Sequence, residues 1–180
     1  MARAGGTGKD PMKISAAVMA GLLAVCVSSA QSDPWAPVRF FEGKWQGPIT
    51  GKPGEQFSSR EYRFELNGKF LSQRDKSVYK NKPESREDLG FFSYDQNLKK
   101  IAWRQFHSEG IVNEYILDTI SADGKTFEFV TTSIENQPAG MRAKKAYRII
   151  SDDEYEETFS LAPPGKGFEV YTVAHLKRVR

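Results

Sequence analysis

From Phe40 to the C-terminus, short runs of aromatic and β-branched residues recur every few positions and are separated by turn-forming residues, the pattern of an all-β sandwich or barrel. Within the runs the period is two. Tyr62, Phe64 and Leu66 alternate with Glu61, Arg63 and Glu65, which gives that strand one apolar and one solvated face. No amphipathic helix of ordinary length competes. The predicted strands are Lys44–Thr50, Ser59–Leu66, Lys69–Tyr79, Asp88–Tyr94, Lys100–His107, Ile111–Thr119, Thr126–Ser133, Met141–Ile150, Tyr155–Leu161 and Phe168–Arg178. Between them stand turn signals such as Asn81-Lys82-Pro83, Asp95-Gln96-Asn97, Asp123-Gly124 and Pro163-Pro164-Gly165. Asn67-Gly68 is the clearest of these, because a two-residue type I′ hairpin needs positive φ at both central positions.

Ten strands joined mostly by tight turns pair sequentially and antiparallel, so the sheet meanders. Closing it into a single up-and-down barrel removes both unpaired edges, and ten strands leave somewhat more room inside than the eight that suffice for one small ligand. A β-sandwich is the alternative, but its crossing connections need longer loops than this chain has.

Composition narrows the function classes. The chain has 180 residues, with 26 Lys and Arg against 23 Asp and Glu, and the basic residues are spread along it and not gathered in one block. That spacing gives no electrostatic footprint for nucleic acid. Residues 1–30 form a segment of their own: Lys9 and Lys13 precede an apolar run from Ile14 to Val27, followed by Ser28-Ser29-Ala30. This is the layout of an export signal starting at Met1 or Met12 and cleaved after Ala30, which leaves a domain of residues 31–180 that is periplasmic or secreted. The apolar run is shorter than the roughly twenty residues that span a bilayer, so no stable membrane span is expected. The leader contains Arg3, Lys9, Lys13 and Asp10, and its removal leaves 23 basic and 22 acidic residues. It also contains Cys26, the single cysteine, so the mature chain has no disulfide, thiolate metal site or cysteine nucleophile. Lipidation at Cys26 is the alternative to cleavage, against which stands the bulky Val25 before it.

Gly43-Lys44-Trp45-Gln46-Gly47, directly after Phe40-Phe41, resembles the Gly-x-Trp-x-Gly opening of calycin-superfamily barrels. With Gly90-Phe91-Phe92-Ser93-Tyr94-Asp95, Trp103-Arg104-Gln105-Phe106-His107 and Ile134-Glu135-Asn136 in order behind it, the chain resembles a bacterial group of nitrobindin-like or lipocalin-like proteins. Trp45 then plugs one barrel end, a structural role for which its flanking glycines allow close backbone approach. Nitrobindin-like proteins bind heme through a histidine on the final strand, so the resemblance implies His175 as a cofactor ligand. Alternation argues otherwise: His175 shares a face with Glu169, Tyr171 and Val173, opposite the more apolar Phe168, Val170, Thr172, Ala174 and Leu176. The resemblance also points to Tyr171, which falls where the family's histidine would stand when the terminal Leu-x-Arg is aligned, and a tyrosinate can ligate ferric heme. Heme therefore ranks behind an organic ligand.

Two polar clusters are candidate ligand sites. Arg104, Gln105 and His107 face Asn113 and Tyr115 across the turn Ser108-Glu109-Gly110, with Gln105 and His107 on one face and Arg104 on the other. The bland reading is a satisfied histidine near a turn. The second set is Glu135, Arg142, Tyr147, Glu157 and Tyr171, where an arginine fork and a phenol would receive a ligand carboxylate; the bland reading is salt bridges, with Arg148–Glu157 as one pair. No nucleophile–base pair, carboxylate pair or metal-ligand spacing has a recognisable catalytic motif, and two distant histidines make a poor metal site. The leading expectation is an exported barrel binding a small hydrophobic or amphipathic ligand with a polar or anionic end. A heme barrel and an interaction module with a filled interior are the alternatives. A barrel enzyme gains weight if His107 is found hydrogen-bonded to a carboxylate beside an open pocket.

Overall fold

The computed structural model describes residues 33–180; the leader read from residues 1–30 lies outside the described residues. A four-residue helix α1 (Ala36–Arg39) precedes ten strands. These are β1 (Gly43–Gly51), β2 (Gln56–Glu65), β3 (Phe70–Tyr79), β4 (Ser85–Asp95), β5 (Lys100–His107), β6 (Val112–Ile120), β7 (Thr126–Glu135), β8 (Arg142–Ser151), β9 (Glu154–Ala162) and β10 (Glu169–Val179). Each pairs antiparallel with its sequence neighbours, and β1 pairs with β10, so the meander closes into one up-and-down barrel. Among the described residues no helix is long and apolar enough to cross a membrane.

Closure depends on Gly47. A Cβ placed there would lie 1.9 Å from the carbonyl oxygen of His175 on β10, so only glycine lets the first and last strands meet. The β2–β3 connection differs from the predicted two-residue turn. The closing pair is Glu65 with Phe70, leaving a four-residue loop in which Leu66, Asn67 and Gly68 all have positive φ. Leu66, expected to end the apolar face of β2, instead turns out into solvent. Helix α1 is also additional to the sequence reading. Pro37 sits in its first turn, and the Asp33 carboxylate accepts from the Trp35 amide at 3.0 Å and from Arg39 Nε at 2.8 Å.

The barrel interior divides into two halves. At the α1 end it is filled by rings: Phe41 stacks on Tyr62 and meets Phe127, Tyr147 and Tyr155 edge-on, while Phe92, Trp103 and Tyr115 form a continuous stack across β4, β5 and β6. Trp45 belongs to this half as expected, fully buried, donating from Nε1 to the Phe41 carbonyl at 2.6 Å under the Arg178 guanidinium. Arg178 also donates to the Phe40 and Glu42 carbonyls, fastening the segment after α1 to the last strand. Rings of this size each bury 150–250 Å² and supply most of the packing. The other half carries charge.

Candidate functional site

Strand register assembles the polar half. Arg60 on β2 pairs with Asp75 on β3, Asp75 with Asp88 on β4, and Asp88 with His107 on β5, so four neighbouring strands contribute one row of ionisable groups to the interior. Each sits on the inward parity of its strand. Arg60 is the hub: its Nη1 and Nη2 grip Glu157 of β9 at 2.7 and 3.1 Å, and its Nε lies 3.0 Å from Asp75. Ser58 donates to Asp75 at 2.7 Å. Burial opposes ionisation of Glu157, but the attraction of Arg60 and Lys145 outweighs it and holds the carboxyl at about 2, below its ordinary 4.5. The same burial raises the Tyr62 phenol to about 12.

At the rim, Asp88 accepts from Gln105 at 3.2 Å and lies 2.9 Å from Nδ1 of His107. Burial disfavours its charged form, yet the bond to His107 and the charge of Arg86 bring its pKa below the usual carboxylate value. Nδ1–H donating to Asp88 leaves Nε2 as an acceptor, and Asn113 Nδ2 stands 3.0 Å from it. Arg86 Nη2 approaches the same Nδ1 to 2.6 Å, and one ring nitrogen cannot both donate to Asp88 and accept from Arg86. The His107 tautomer is thereby tied to the placement of the guanidinium. Ligating atoms of Asp88, His107 and Glu109 come within 4.8 Å of one another, as a metal would require. The Arg86 guanidinium already stands among them, 3.2 Å from Asp88 and 3.4 Å from Glu109, as their counter-cation.

Two cavities adjoin this row at the end opposite α1. A mouth cavity of about 250 Å³ opens between the β5–β6 and β7–β8 loops. Ile111, Ile134, Met141, Phe159, Leu161 and Tyr171 form its apolar wall, and Arg86, His107 and Asn113 its polar floor. A second space of about 60 Å³ lies against Arg60, Asp75, Glu157 and Lys145; Arg86, His107, Phe159 and Tyr171 line both. Below them Gln105 Oε1 and Asn113 Oδ1 are buried without a protein partner. A larger depression of about 740 Å³ lies on the outer wall of β1–β5 among charges of both signs, including Lys44, Glu61, Arg74 and Glu87.

The sequence candidates divide across the barrel wall. Gln105, His107, Asn113, Tyr115 and Tyr147 point inward and are buried, with His107 and Asn113 at the mouth and Tyr115 and Tyr147 in the aromatic core. Arg104 faces outward, 2.9 Å from Glu114 and 3.3 Å from Glu135, so neither Arg104 nor Glu135 reaches the interior. Arg142 is also outside, donating to the Lys166 carbonyl at 2.8 Å above the Phe168 ring. His175 is on the outer face as alternation predicts, 3.5 Å from Glu156. Tyr171 departs from its parity: a bulge between Val170 and Thr172 turns it inward against Phe159 and leaves Val170 exposed. The Arg148–Glu157 bridge is replaced by Arg148–Glu156 at 3.1 Å, because register sets Arg148 opposite Glu156 on the outer face.

Arg60, Asp75, Arg86, Asp88 and Lys145 were not among the sequence candidates. The signal was present: Arg60 has the parity of Tyr62 and Phe64, Asp75 that of Leu71 and Gln73, and Lys145 stands between Ala143 and Tyr147. A charge on the apolar parity of a strand is the mark of an interior ion pair.

No family model matches the chain, and no curated protein matches its sequence. Solved structures share its fold. Rv2717c from M. tuberculosis superposes with a TM-score of 0.66 at 18% identity, covering 83% of this chain and 99% of its own. The S-type phycobiliprotein lyase CPES from Guillardia theta superposes with a TM-score of 0.50 at 13% identity, covering 78% of this chain and 89% of its own. At these identities the likeness is one of fold, a calycin-like barrel.

Proposed function

We propose that this chain is an exported carrier for a small, largely apolar ligand with a polar end, bound in the open end of the barrel. The observation that carries the reading is the mouth cavity, whose apolar wall faces a polar floor of Arg86, His107 and Asn113. That division of surface is what orients an amphipathic molecule. At about 250 Å³ the cavity has the volume of about eight waters at ~30 Å³ each, which favours a short ligand or the end of a longer one. Export rests on the leader at residues 1–30, and start-site sequencing of the secreted protein is expected to read Gln31-Ser32-Asp33. Binding is tested by calorimetric titration with straight-chain alcohols of increasing length. Saturable binding that strengthens by about 0.8 kcal/mol per methylene until the cavity is full supports the reading. Absence of saturable heat across the series overturns it.

A second reading is favoured by one observation. His107 is bonded to the Asp88 carboxylate beside an open cavity, the arrangement of an oriented base. Under this reading the bound molecule is also a substrate for proton transfer.

A further inference from the structure

Lys145 projects from β8 into the polar half of the barrel, with its side chain 8% exposed. Its Nζ has three protons to donate, yet the nearest carboxylate oxygen, Glu157 Oε1, is 3.6 Å away, because both oxygens of that carboxylate are engaged by Arg60. The amine rests instead over the Trp103 ring at 4.8 Å and near Phe159 at 5.6 Å, and it borders the 60 Å³ cavity. A buried ammonium with unused donors beside an open space calls for an acceptor brought from outside.

Charge balance limits what that acceptor is. Arg60 and Lys145 are matched by Asp75 and Glu157, and the rim adds Arg86 against Asp88 and Glu109. An anionic head would therefore enter a region with no surplus of positive charge, whereas a carbonyl adds none. The inner cavity has the volume of about two waters at ~30 Å³ each, enough for a carbonyl group, and the mouth cavity beside it takes an apolar tail.

Given the ligand-binding reading above, on which this rests, we propose that the ligand is a small aldehyde and that Lys145 condenses with it to a reversible imine, with Glu157 as counter-ion. Lys145 first releases a proton to solvent through the cavity that it borders. The free amine attacks the carbonyl carbon, forming a C–N bond and a carbinolamine. Return of the proton expels the hydroxyl as water and leaves an iminium. Lysinium and aldehyde thus give iminium and water, and the interior charge is the same before and after. Burial favours the first step by lowering the Lys145 pKa, and the like charge of Arg60 adds to it against the pull of Glu157 and Asp88.

The test is reductive trapping of the purified protein with hexanal and sodium cyanoborohydride at pH 7, followed by peptide mapping. The expected result is one hexyl group on Lys145, formed about tenfold or more faster than on exposed lysines such as Lys52, Lys76 and Lys177. Lys145→Arg, which keeps the charge, and Lys145→Met, which keeps the length, are both expected to abolish this modification; mapping of the unaltered chain needs neither to fold. Alkylation confined to exposed lysines overturns the proposal. If 1-hexanol still binds saturably, the imine alone is refuted; if it does not, the ligand-binding reading falls too.

Discussion

Replacing Glu157 by glutamine is the sharpest probe of the charged half of the barrel. The substitution keeps the volume and removes the charge that Arg60 grips at 2.7 and 3.1 Å and that Lys145 faces at 3.6 Å. Breaking a buried pair by neutralising one partner costs about 3–5 kcal/mol, because the other charge stays buried and uncompensated. The depressed pKa gives an independent figure: a fall from 4.5 to about 2 corresponds to about 3 kcal/mol at about 1.4 kcal/mol per unit. Since the folded-state value lies below the unfolded one, this stability is present in full above about pH 4.5 and is lost as pH falls towards 2. By pH 3 the unaltered protein should have lost about 2 kcal/mol through this group alone. Urea unfolding followed by tryptophan fluorescence at pH 7 and pH 3 measures the loss. The variant is expected to be less stable at pH 7 by about 3 kcal/mol and to show an acid loss smaller by about 2 kcal/mol than the unaltered chain. Identical acid losses in the two proteins would refute the argument that Glu157 is ionised and paired inside the barrel.

Gly47→Ala is expected to prevent barrel closure, since its Cβ would meet the His175 carbonyl backbone at 1.9 Å; loss of the cooperative unfolding transition checks this, and a normal transition contradicts it. Arg104→Ala removes an exposed pair and should change stability by no more than about 1 kcal/mol while leaving alcohol binding unaltered in calorimetry. Tyr171→Ala strips one side of the mouth wall and should weaken 1-hexanol binding about tenfold, through loss of apolar contact worth about 1–2 kcal/mol. His175→Ala, on the outer face, should leave any hemin affinity unchanged in an absorbance titration.

Period-two alternation made the barrel legible: every predicted strand is present, and most bounds fall within one to three residues of those observed. The loop at Leu66 and the bulge at Tyr171 were not legible, because each inserts backbone that breaks the alternation from which side-chain direction is read. The site was legible only in part. Gln105, His107 and Asn113 drew notice as a local hairpin cluster. The interior row, by contrast, joins Arg60 to a carboxylate 97 residues away, a pairing set by barrel closure that no local motif encodes. Arg142 attracted the anionic-ligand expectation because its type suits it, and Arg104 stayed among the candidates although alternation sets it on the face opposite Gln105 and His107. Parity, applied to charged residues as strictly as to aromatic ones, would have exchanged them for Arg60 and Lys145.

The central claim is that the mouth of the barrel holds a small molecule. Native mass spectrometry of the protein, purified without detergent and measured again after incubation with 1-hexanol and with hemin, tests it most directly. The account predicts a retained small molecule or a one-to-one hexanol adduct that Tyr171→Ala diminishes. Bare protein in every spectrum would contradict it and shift the function to the outer surface of a filled barrel. A stoichiometric hemin adduct that excludes hexanol would replace the proposed ligand class with heme.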